Sequence, residues 1–392
     1  MFKRVLIANR GEIARRVART CSKLGVDFVA VYSTADAGAL HLQGAVAAVC
    51  LGAGPAADSY LNGAAIIEAA LQHDCDAIHP GYGFLSENAD FAVAVEAAGL
   101  VFIGPRADTI AALGDKSRAK QLMSDAGVPT VPGLIEASDD PARVEEMIRI
   151  VGLPVLLKPS AGGGGKGMQV VTTLERLRET AQAAIRVARN SFGDGRLLVE
   201  RLVERPRHIE VQVFGDCHGN VVHLFERECS LQRRHQKVVE EAPAINLPED
   251  VRQRLLQSAV RGAQSIGYRN AGTFEFIVGE DHSFYFLEVN TRLQVEHPVT
   301  EEITGLDLVE WQLRVAAGEA LPLAQHQITA TGCAIECRIY AEDPSNGFRP
   351  APGIVAQAVW PNDVRVEAGI ASGGEVPPYY DPMVAKLVAH AA

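Results

Sequence analysis

Polar side chains recur at every second position in the run LEVNTRLQVEHPVTE. An extended chain turns alternate side chains to one face, so this face would present, in order, Glu288, Asn290, Arg292, Gln294 and Glu296. The residues between them are expected to point into a core, and these are Leu287, Val289, Leu293 and Val295. The run predicts a site that holds a metal ion at one end and handles a small anion at the other.

A metal site is predicted where two strands carry facing carboxylates. Glu275 lies in GTFEF and Glu288 in FYFLEV, and the intervening GEDH is a turn signal. Antiparallel pairing would bring both carboxylates within reach of one ion. Asn290, two residues after Glu288, would lie on the same face of the strand. One or two carboxylates, completed by water and substrate phosphates, are the ligands that Mg²⁺ takes in proteins. A solvent-facing acidic pair is the alternative, and the apolar opposite face of these strands argues against it.

Arg292 and Glu296 suit the binding and deprotonation of a planar anion. A guanidinium can hold such an anion through two parallel hydrogen bonds, and a nearby carboxylate can accept its proton. A salt-bridged or helix-capping pair is the alternative. Arg338, in AIECRIYAEDP, could turn a second cation toward the same site, although a surface ladder with Glu336 explains that pattern as well.

Two clusters predict phosphate binding. The loop SAGGGGKGM joins two strands, and backbone amides at Gly163, Gly164 and Gly165 could cradle phosphate oxygens beside Lys166. It is not a Walker A loop, because no Ser or Thr follows the lysine. A flexible surface loop is the alternative, and Lys158 on the preceding strand favours a nucleotide. The second cluster is QRRHQK at a strand exit, where a solvated charged face is the alternative.

The composition limits the class of protein. The 392 residues carry a net charge of −11, which argues against general nucleic-acid binding. No apolar stretch approaches the roughly 18 residues that a membrane-spanning helix needs. The seven cysteines form no CxxC pair and are expected to be reduced, mostly buried thiols in a cytosol-like compartment, Cys333 and Cys337 among them.

Strand and helix patterns alternate over residues 1 to about 113, which is typical of a parallel sheet with helices on both faces. The turn ANRGE after the first strand lacks the GxGxxG of dinucleotide binders. A helix at 115–127 and the hinge VPTVPG lead to a small unit that ends near residue 203 and contains two helices and three strands. Strand patterns dominate from residue 207, with long helices at 249–266 and 306–317, and a mostly β segment begins near residue 331.

These residues also match a family. The chain resembles biotin carboxylase, a member of the ATP-grasp fold, over essentially its whole length. The resemblance is carried by IANRGEIA, HPGYGFLSEN, GGGGKGM, ECSLQRRHQKVVEEAP, GTFEF, NTRLQVEHPVTE, ECRIYAEDP and YYDPMVAKL, in the family's order. The stretch DLVEWQLRVAAGE looks most like the α subunits of acyl-CoA carboxylases, particularly those that act on methylcrotonyl- or propionyl-CoA.

The resemblance implies an α/β and α+β architecture built on the ATP-grasp fold. A Rossmann-like (pre-ATP-grasp) parallel-sheet domain would cover residues 1–113. The ATP-grasp domain would cover 114–330, with a small lid subdomain at about 131–203. A mostly β C-terminal domain would cover 331–392, and it is expected to be truncated because the family's domain continues beyond the point that corresponds to Ala392.

The resemblance also implies an ATP-dependent ligase that carboxylates the ureido nitrogen of carrier-borne biotin with bicarbonate and Mg-ATP. Besides the glycine loop, the implied ATP-binding residues are Lys116, Lys158, His208, Gln232, His235 and the adenine hinge of Glu200, Arg201 and Val203. The implied ligands of Mg²⁺ or Mn²⁺ are Glu275, Glu288 and Asn290. Bicarbonate would contact Arg292, Gln294 and the Val295 backbone. The implied catalytic set adds Glu296 as the base, Arg338 as the cation that stabilises the biotin enolate, and Lys237.

The implied partners are a biotin carboxyl carrier domain and a carboxyltransferase subunit, on other chains or on a part of the protein outside this sequence. A homodimer in the cytoplasm is expected, without nucleic acid or membrane. One alternative is a catalytically crippled remnant that binds ATP or partner subunits. Another is a different ATP-grasp ligase, such as a carbamoyl-phosphate synthase, which would turn over with ammonia and without biotin.

Overall fold

The computed structural model describes residues 1–161 and 167–392. Its first layer is a five-stranded parallel sheet of order β3-β2-β1-β4-β5. The strands are β1 (Arg4–Ile7), β2 (Asp27–Ser33), β3 (Ala47–Gly52), β4 (Ala77–His79) and β5 (Val101–Phe102). The helices are α1 (Gly11–Lys23), α2 (Gly63–Gln72), α3 (Ala89–Ala97) and α4 (Ala107–Gly114).

Helices cover both faces of this sheet, and successive residues of its strands are therefore buried on opposite sides. On β2, Phe28 and Ala30 pack in the cluster of α1, whereas Val29 and Val31 pack in the cluster of α2 and α3. The predicted parallel-sheet region is confirmed. Strand β3 was not predicted from the sequence, because the residues of this edge strand are exposed or half-buried and lack a core pattern.

The small unit is a three-stranded antiparallel sheet of order β7-β6-β8 with two helices packed on it. Following α5 (Lys116–Asp125), it comprises α6 (Pro141–Val151), β6 (Val155–Pro159), β7 (Gln169–Val171), α7 (Leu177–Phe192) and β8 (Leu197–Arg201). Its helices and strands share a hydrophobic core of their own, which includes Val144, Leu157 and Ile185. The unit has the helices and strands that the sequence predicts.

The largest sheet is antiparallel, with eight strands in the order β13-β12-β9-β10-β11-β14-β20-β18. Its strands are β9 (Arg207–Gly215), β10 (Val221–Arg233), β11 (Gln236–Ala242), β12 (Asn270–Val278), β13 (Phe284–Asn290), β14 (Cys333–Tyr340), β18 (Arg365–Ala368) and β20 (Met383–Ala391). The helices are α8 (Glu249–Ser265), α9 (His297–Thr304) and α10 (Leu308–Ala316). Two short pairs remain: β15 (Glu342–Asp343) with β16 (Arg349–Pro350), and β17 (Gly353–Ile354) with β19 (Glu375–Val376). The segment from residue 331 thus extends the same sheet, because β14 pairs with β11.

A β-bulge in β13 decides which side chains face the site. Glu288 lies opposite Glu275 on β12, but the next pair is Phe286 with Phe276, so Leu287 has no opposite residue. A bulge shifts the alternation by one residue. Phe286 therefore lies in the core, and Leu287 is half-buried at the edge of a cavity. The prediction that Leu287 points into the core is wrong for this reason.

The extended chain predicted to run from Glu288 to Glu296 ends at Asn290. Residues 291–296 are irregular, and α9 begins at His297. Val289 and Leu293 are buried as predicted, but Val295 is half-buried and lines the cavity. The chain turns before α9, so the strict alternation does not hold over the whole run.

The cysteines are less buried than predicted. Cys21, Cys75 and Cys229 are buried, whereas Cys50, Cys217 and Cys333 are exposed and Cys337 is half-buried. Cys333 and Cys337 lie on the face of β14 opposite to the buried Ala334 and Glu336, so they are not core thiols. All seven thiols are free. Among the described residues, no helix is long and apolar enough to cross a membrane.

Strand β18 is tied to α1 by a buried carboxylate between two arginines. Glu367 accepts hydrogen bonds from Arg19 Nη2 at 2.5 Å and from Arg365 Nε at 2.8 Å. Burial alone would raise the pKa of Glu367, but the two guanidinium groups lower it to about 2. A carboxylate with a depressed pKa stabilises the folded state above its unfolded pKa of about 4.5, and this contribution is lost as the pH falls toward 2.

We expect Glu367→Gln to lower the free energy of unfolding by about 1–3 kcal/mol at pH 7, because glutamine cannot form the two ion pairs that depress the pKa of Glu367. The effect is kept small because Arg19 is partly exposed and water screens its charge. The difference from the wild type should shrink as the pH falls from 4.5 toward 3. Thermal or urea midpoints measured from pH 7 to pH 3 check this expectation. A difference that stays constant with pH would contradict the assigned ion pair.

Candidate active site

The three groups of predicted site residues meet at one cavity of about 360 Å³. Residues of α5, of the small unit and of the strands β9 to β14 of the large sheet line it, together with the irregular segment before α9. Its predicted members are Lys116, Lys158, His208, Gln232, His235, Lys237, Glu275, Glu288, Asn290, Arg292, Gln294, Val295 and Arg338. The phosphate, metal and anion groups that the sequence predicts therefore face one space.

Some predicted residues lie elsewhere. The cavity's described lining does not include Glu200, Arg201 or Val203, which lie at the end of β8 and just after it. The Glu200 carboxylate accepts hydrogen bonds from Lys120 at 2.9 Å and from Lys158 at 3.0 Å. Glu200 therefore contacts Lys158, which lines the cavity. The predicted phosphate-binding residues Gly163, Gly164, Gly165 and Lys166 lie outside the described residues.

Lys237 is the centre of a buried charge cluster. Its Nζ donates to Glu210 Oε2 at 2.5 Å, to Glu275 Oε1 at 2.7 Å and to Glu296 Oε1 at 2.7 Å. Burial would lower the pKa of Lys237, but the three carboxylates raise it well above its usual value. The lysine therefore stays charged and holds together carboxylates from β9, β12 and the segment before α9.

Glu296, the predicted base, lies behind the cavity wall and is fully buried. Its Oε1 faces Lys237, and its Oε2 accepts a hydrogen bond from Arg338 Nη2 at 3.1 Å. Burial would raise the pKa of Glu296, but Lys237, Arg338 and Arg227 lower it well below its usual range. The side chain is therefore a carboxylate at neutral pH, which is the protonation state that a proton acceptor needs.

The predicted metal ligands have a donor set that suits Mg²⁺ or Mn²⁺. Glu275 and Glu288 are directly opposite on β12 and β13, and Asn290 Nδ2 donates to Glu275 Oε1 at 2.7 Å. Burial raises the pKa of Glu288, and the facing Glu275 raises it further. The buried Glu275 carboxylate and the half-buried Glu288 carboxylate repel each other, and a divalent cation between hard oxygen ligands relieves that repulsion.

The predicted anion pocket is formed around Arg292. Its Nε donates to Glu87 Oε2 at 2.9 Å, and its Nη1 donates to Gln294 Oε1 at 3.0 Å. Asn290 Oδ1 accepts from Nη2 at 3.3 Å. These contacts fix the plane of the guanidinium, which suits a planar oxyanion, and Val295 lines the same cavity.

Sequence reasoning missed several buried partners of the site. Glu210 is fully buried between Lys237 and Arg227, whose Nε donates to Glu210 Oε1 at 2.6 Å. Glu240 accepts from Arg338 Nε at 2.6 Å. A signal for Glu210 was present, because the apolar strand HIEVQVFG carries polar residues at alternate positions. Glu240 has no comparable signal, since its role depends on the pairing of β11 with β14.

A second cavity of about 310 Å³ adjoins the first. The two share Gln236, Arg292, Val295 and Arg338. The remaining wall comes from α1 and the residue pair before it, from the loop after β4, from the end of β14, and from β20 with the segment before it. It includes Asn9, Arg10, Glu12, Tyr82, Phe84, Tyr340, Tyr380 and Met383. The anion pocket therefore lies between two spaces that could each hold a ligand.

A small antiparallel unit facing a larger antiparallel sheet, with cationic and acidic side chains between them, defines an ATP-grasp protein. Family comparisons agree with the fold. Residues 1–110 match the biotin carboxylase N-terminal domain, and residues 336–392 match the biotin carboxylase C-terminal domain. Residues 115–324 match the ATP-binding domain of the carbamoyl-phosphate synthase L chain.

Among known proteins, the chain is 54% identical to the biotin carboxylase of Halalkalibacterium halodurans over 393 residues, covering all of this chain and 87% of that protein. It is 54% identical over 390 residues to the mitochondrial methylcrotonoyl-CoA carboxylase subunit alpha of Glycine max. That match covers 99% of this chain and 53% of the subunit, so the chain spans about half the length of such relatives. The chain belongs to the biotin carboxylase family.

Solved structures of biotin carboxylases also resemble this chain. The biotin carboxylase of Campylobacter jejuni, in a β-γ-ATP complex, superposes with a TM-score of 0.96 at 47% identity, covering 100% of this chain and 88% of that one. The biotin carboxylase domain dimer of Hydrogenobacter thermophilus 2-oxoglutarate carboxylase, with MgADP, ADP and bicarbonate, also gives 0.96, at 48% identity. That match covers 100% of this chain and 86% of the other.

Proposed function

We propose that this chain is a biotin carboxylase, an ATP-dependent ligase that carboxylates carrier-borne biotin with bicarbonate and Mg-ATP. The observation that carries the proposal is the cavity in which phosphate-type cations, facing carboxylates and the Arg292 pocket meet. The membership of the family supports the same activity. Bicarbonate chemistry would take place where the two cavities adjoin.

The nucleotide would lie along the side of the cavity formed by Lys116, Lys158 and His208, with Gln232 and His235 at its edge. Lys158 is held in place by Glu200, so its ammonium group is positioned before a phosphate arrives. Glu275, Glu288 and Asn290 would hold Mg²⁺ or Mn²⁺, and the bound ion would neutralise charge on the phosphates. Glu200, Arg201 and Val203 would serve the adenine end, and we retain Gly163, Gly164, Gly165 and Lys166 as proposed phosphate contacts.

Bicarbonate would bind to Arg292, Gln294 and the Val295 backbone, with Glu296 as the proton acceptor. One bicarbonate oxygen would attack the γ-phosphorus while ADP leaves, and the resulting carboxyphosphate would break down into CO₂ and phosphate. Glu296 is held by Lys237 and Arg338, and these cations weaken it as a base. A substrate anion that attracts either cation would raise the pKa of Glu296 and strengthen the base.

The second cavity would take the ureido ring of biotin. The released phosphate would remove the ureido proton, and the nitrogen would then attack CO₂. Arg338 faces both cavities, so its guanidinium would stabilise the enolate form of the ring. Glu240 at 2.6 Å and Glu296 at 3.1 Å keep the guanidinium in this orientation.

The partners are part of the proposal, because the chain covers about half of its longer relatives. A biotin carboxyl carrier domain would deliver biotin, and a carboxyltransferase subunit would pass the carboxyl group to an acyl-CoA such as acetyl-, propionyl- or methylcrotonyl-CoA. We also propose a homodimer in the cytoplasm. The homodimer is supported by the biotin carboxylase domain of the H. thermophilus enzyme, which is a dimer.

Hydrolysis of Mg-ATP tests the proposed function, when measured with and without bicarbonate and free biotin. We expect turnover that requires bicarbonate and rises when biotin is added. A folded protein that binds ATP without turnover would support the inactive remnant and contradict the proposal. Turnover that needs ammonia and ignores biotin would support a carbamoyl-phosphate synthase instead.

A further inference from the structure

Lys386 is a fully buried cation on β20, in a motif to which the proposed chemistry gives no role. It lies directly opposite Arg338 in the pairing of β14 with β20, so both side chains face α9 and the site. Its Nζ donates to the Val295 carbonyl oxygen at 2.7 Å. A buried ammonium is retained only where charged or polar partners receive it.

The counter-ion of Lys386 comes from the other end of the chain. Glu12 on α1 is buried, and its Oε1 lies 3.3 Å from Lys386 Nζ. The same oxygen accepts a hydrogen bond from the Tyr82 hydroxyl. Glu12 belongs to IANRGEIA and Lys386 to YYDPMVAKL, so two motifs about 370 residues apart in the sequence meet beside Val295.

The peptide that Lys386 contacts has little regular structure to support it. Residues 291–296 lie between the end of β13 and the start of α9. Glu296 is the N-cap residue of α9, but its side chain accepts no hydrogen bond from the backbone of the helix. His297 Nδ1 lies 2.7 Å from the Gln294 carbonyl oxygen, and Lys386 binds the next carbonyl along the chain. His297 and Lys386 therefore fix the backbone at Gln294 and Val295, whereas Lys237 and Arg338 hold the Glu296 side chain.

We propose that Lys386, held by Glu12, is a positioning residue that fixes the Val295–Glu296 peptide, and thereby the bicarbonate-binding backbone and the base. This inference rests on the proposed function. Lys386 does not line the first cavity's described wall, so it acts through the peptide and not on the substrates. Its loss should weaken bicarbonate binding while MgATP, bound around Lys116 and Lys158, is held as before.

The test is a set of KM values for bicarbonate and for MgATP, measured in bicarbonate-dependent ATP hydrolysis. Lys386→Met keeps the volume and removes the charge, and we expect the bicarbonate KM to rise about tenfold with an unchanged MgATP KM. Lys386→Arg should recover part of the loss, because it keeps a cation. Lys3→Met, at an exposed lysine, is the matched control and should behave as the wild type.

The double variant Lys386→Met/Glu12→Gln separates positioning from folding. Burial raises the pKa of Glu12 and Lys386 opposes this, so the single variant leaves a carboxyl group without its counter-ion. The double variant removes both charges and should recover stability while the raised bicarbonate KM remains. A normal bicarbonate KM in either folded variant, or a parallel rise in both KM values, would overturn the inference. Absence of bicarbonate-dependent turnover in the wild type would instead refute the proposed function.

Discussion

Replacing Glu296 with glutamine is expected to lower bicarbonate-dependent ATP hydrolysis by about 10²- to 10⁴-fold, the usual contribution of a positioned proton acceptor. Glutamine keeps the shape of the buried side chain but cannot accept a proton as a carboxylate does. Lys237 and Arg338 keep Glu210, Glu275 and Glu240 as partners, so the site should remain assembled. Steady-state turnover at saturating bicarbonate, together with MgATP binding by calorimetry, measures the effect.

The matched control is Glu280→Gln, which changes an exposed glutamate in the turn between β12 and β13. It should turn over as the wild type does. Affinity for MgATP should be nearly the same in Glu296→Gln, Glu280→Gln and the wild type. Retention of most of the activity in Glu296→Gln would show that another group accepts the bicarbonate proton.

Lys237→Met is expected to destabilise the fold by about 3 kcal/mol or more, because it removes the shared cation of three buried carboxylates. The effect should be largest at neutral pH. Lys237 lowers the pKa of Glu275 and Glu296, and the stability from such depressed groups is present above about pH 4.5 and is lost below it. Urea unfolding of both proteins at pH 7 and at pH 4 measures this.

The double variant Lys237→Met/Glu210→Gln tests the cause. Removing one of the three carboxylates should recover part of the lost stability, so the two changes should not be additive. Equal unfolding midpoints for the wild type and Lys237→Met at pH 7 would show that the cluster contributes nothing to stability. Full additivity would show that Lys237 and Glu210 do not interact.

The sequence could predict that Glu275 and Glu288 lie near each other, because a short turn joins their two strand patterns. Their direct pairing could not be predicted, because the register from Phe276 to Val278 would place Glu275 opposite Leu287 without the bulge. The bulge itself was missed because strict alternation was assumed through Leu287, whereas the unpaired residue shifts that alternation by one. The resemblance to biotin carboxylase brought Lys237 and Arg338 into the predicted site, although their patterns alone were ambiguous.

The buried partners were harder to predict, because they depend on which strands become neighbours. Glu240 reaches Arg338 only because β11 pairs with β14, and Glu12 reaches Lys386 only because α1 lies near the start of α9 and β20. Such long-range adjacency leaves no local trace in a single sequence. The edge strand β3 was missed for a related reason, since its residues are too exposed to show a core pattern.

Continuity of the eight-stranded sheet has a consequence for how the molecule opens. Pairing of β11 with β14, from Val239 with Cys337 to Ala242 with Ala334, joins strands on both sides of residue 331 into one hydrogen-bonded ladder. Amide protons along that ladder should exchange with solvent in a single slow class. The small unit has a hydrophobic core of its own, and the preceding hinge residue Thr130 pairs with Phe286 of the large sheet. The amides of the small unit should therefore exchange as a separate, faster class.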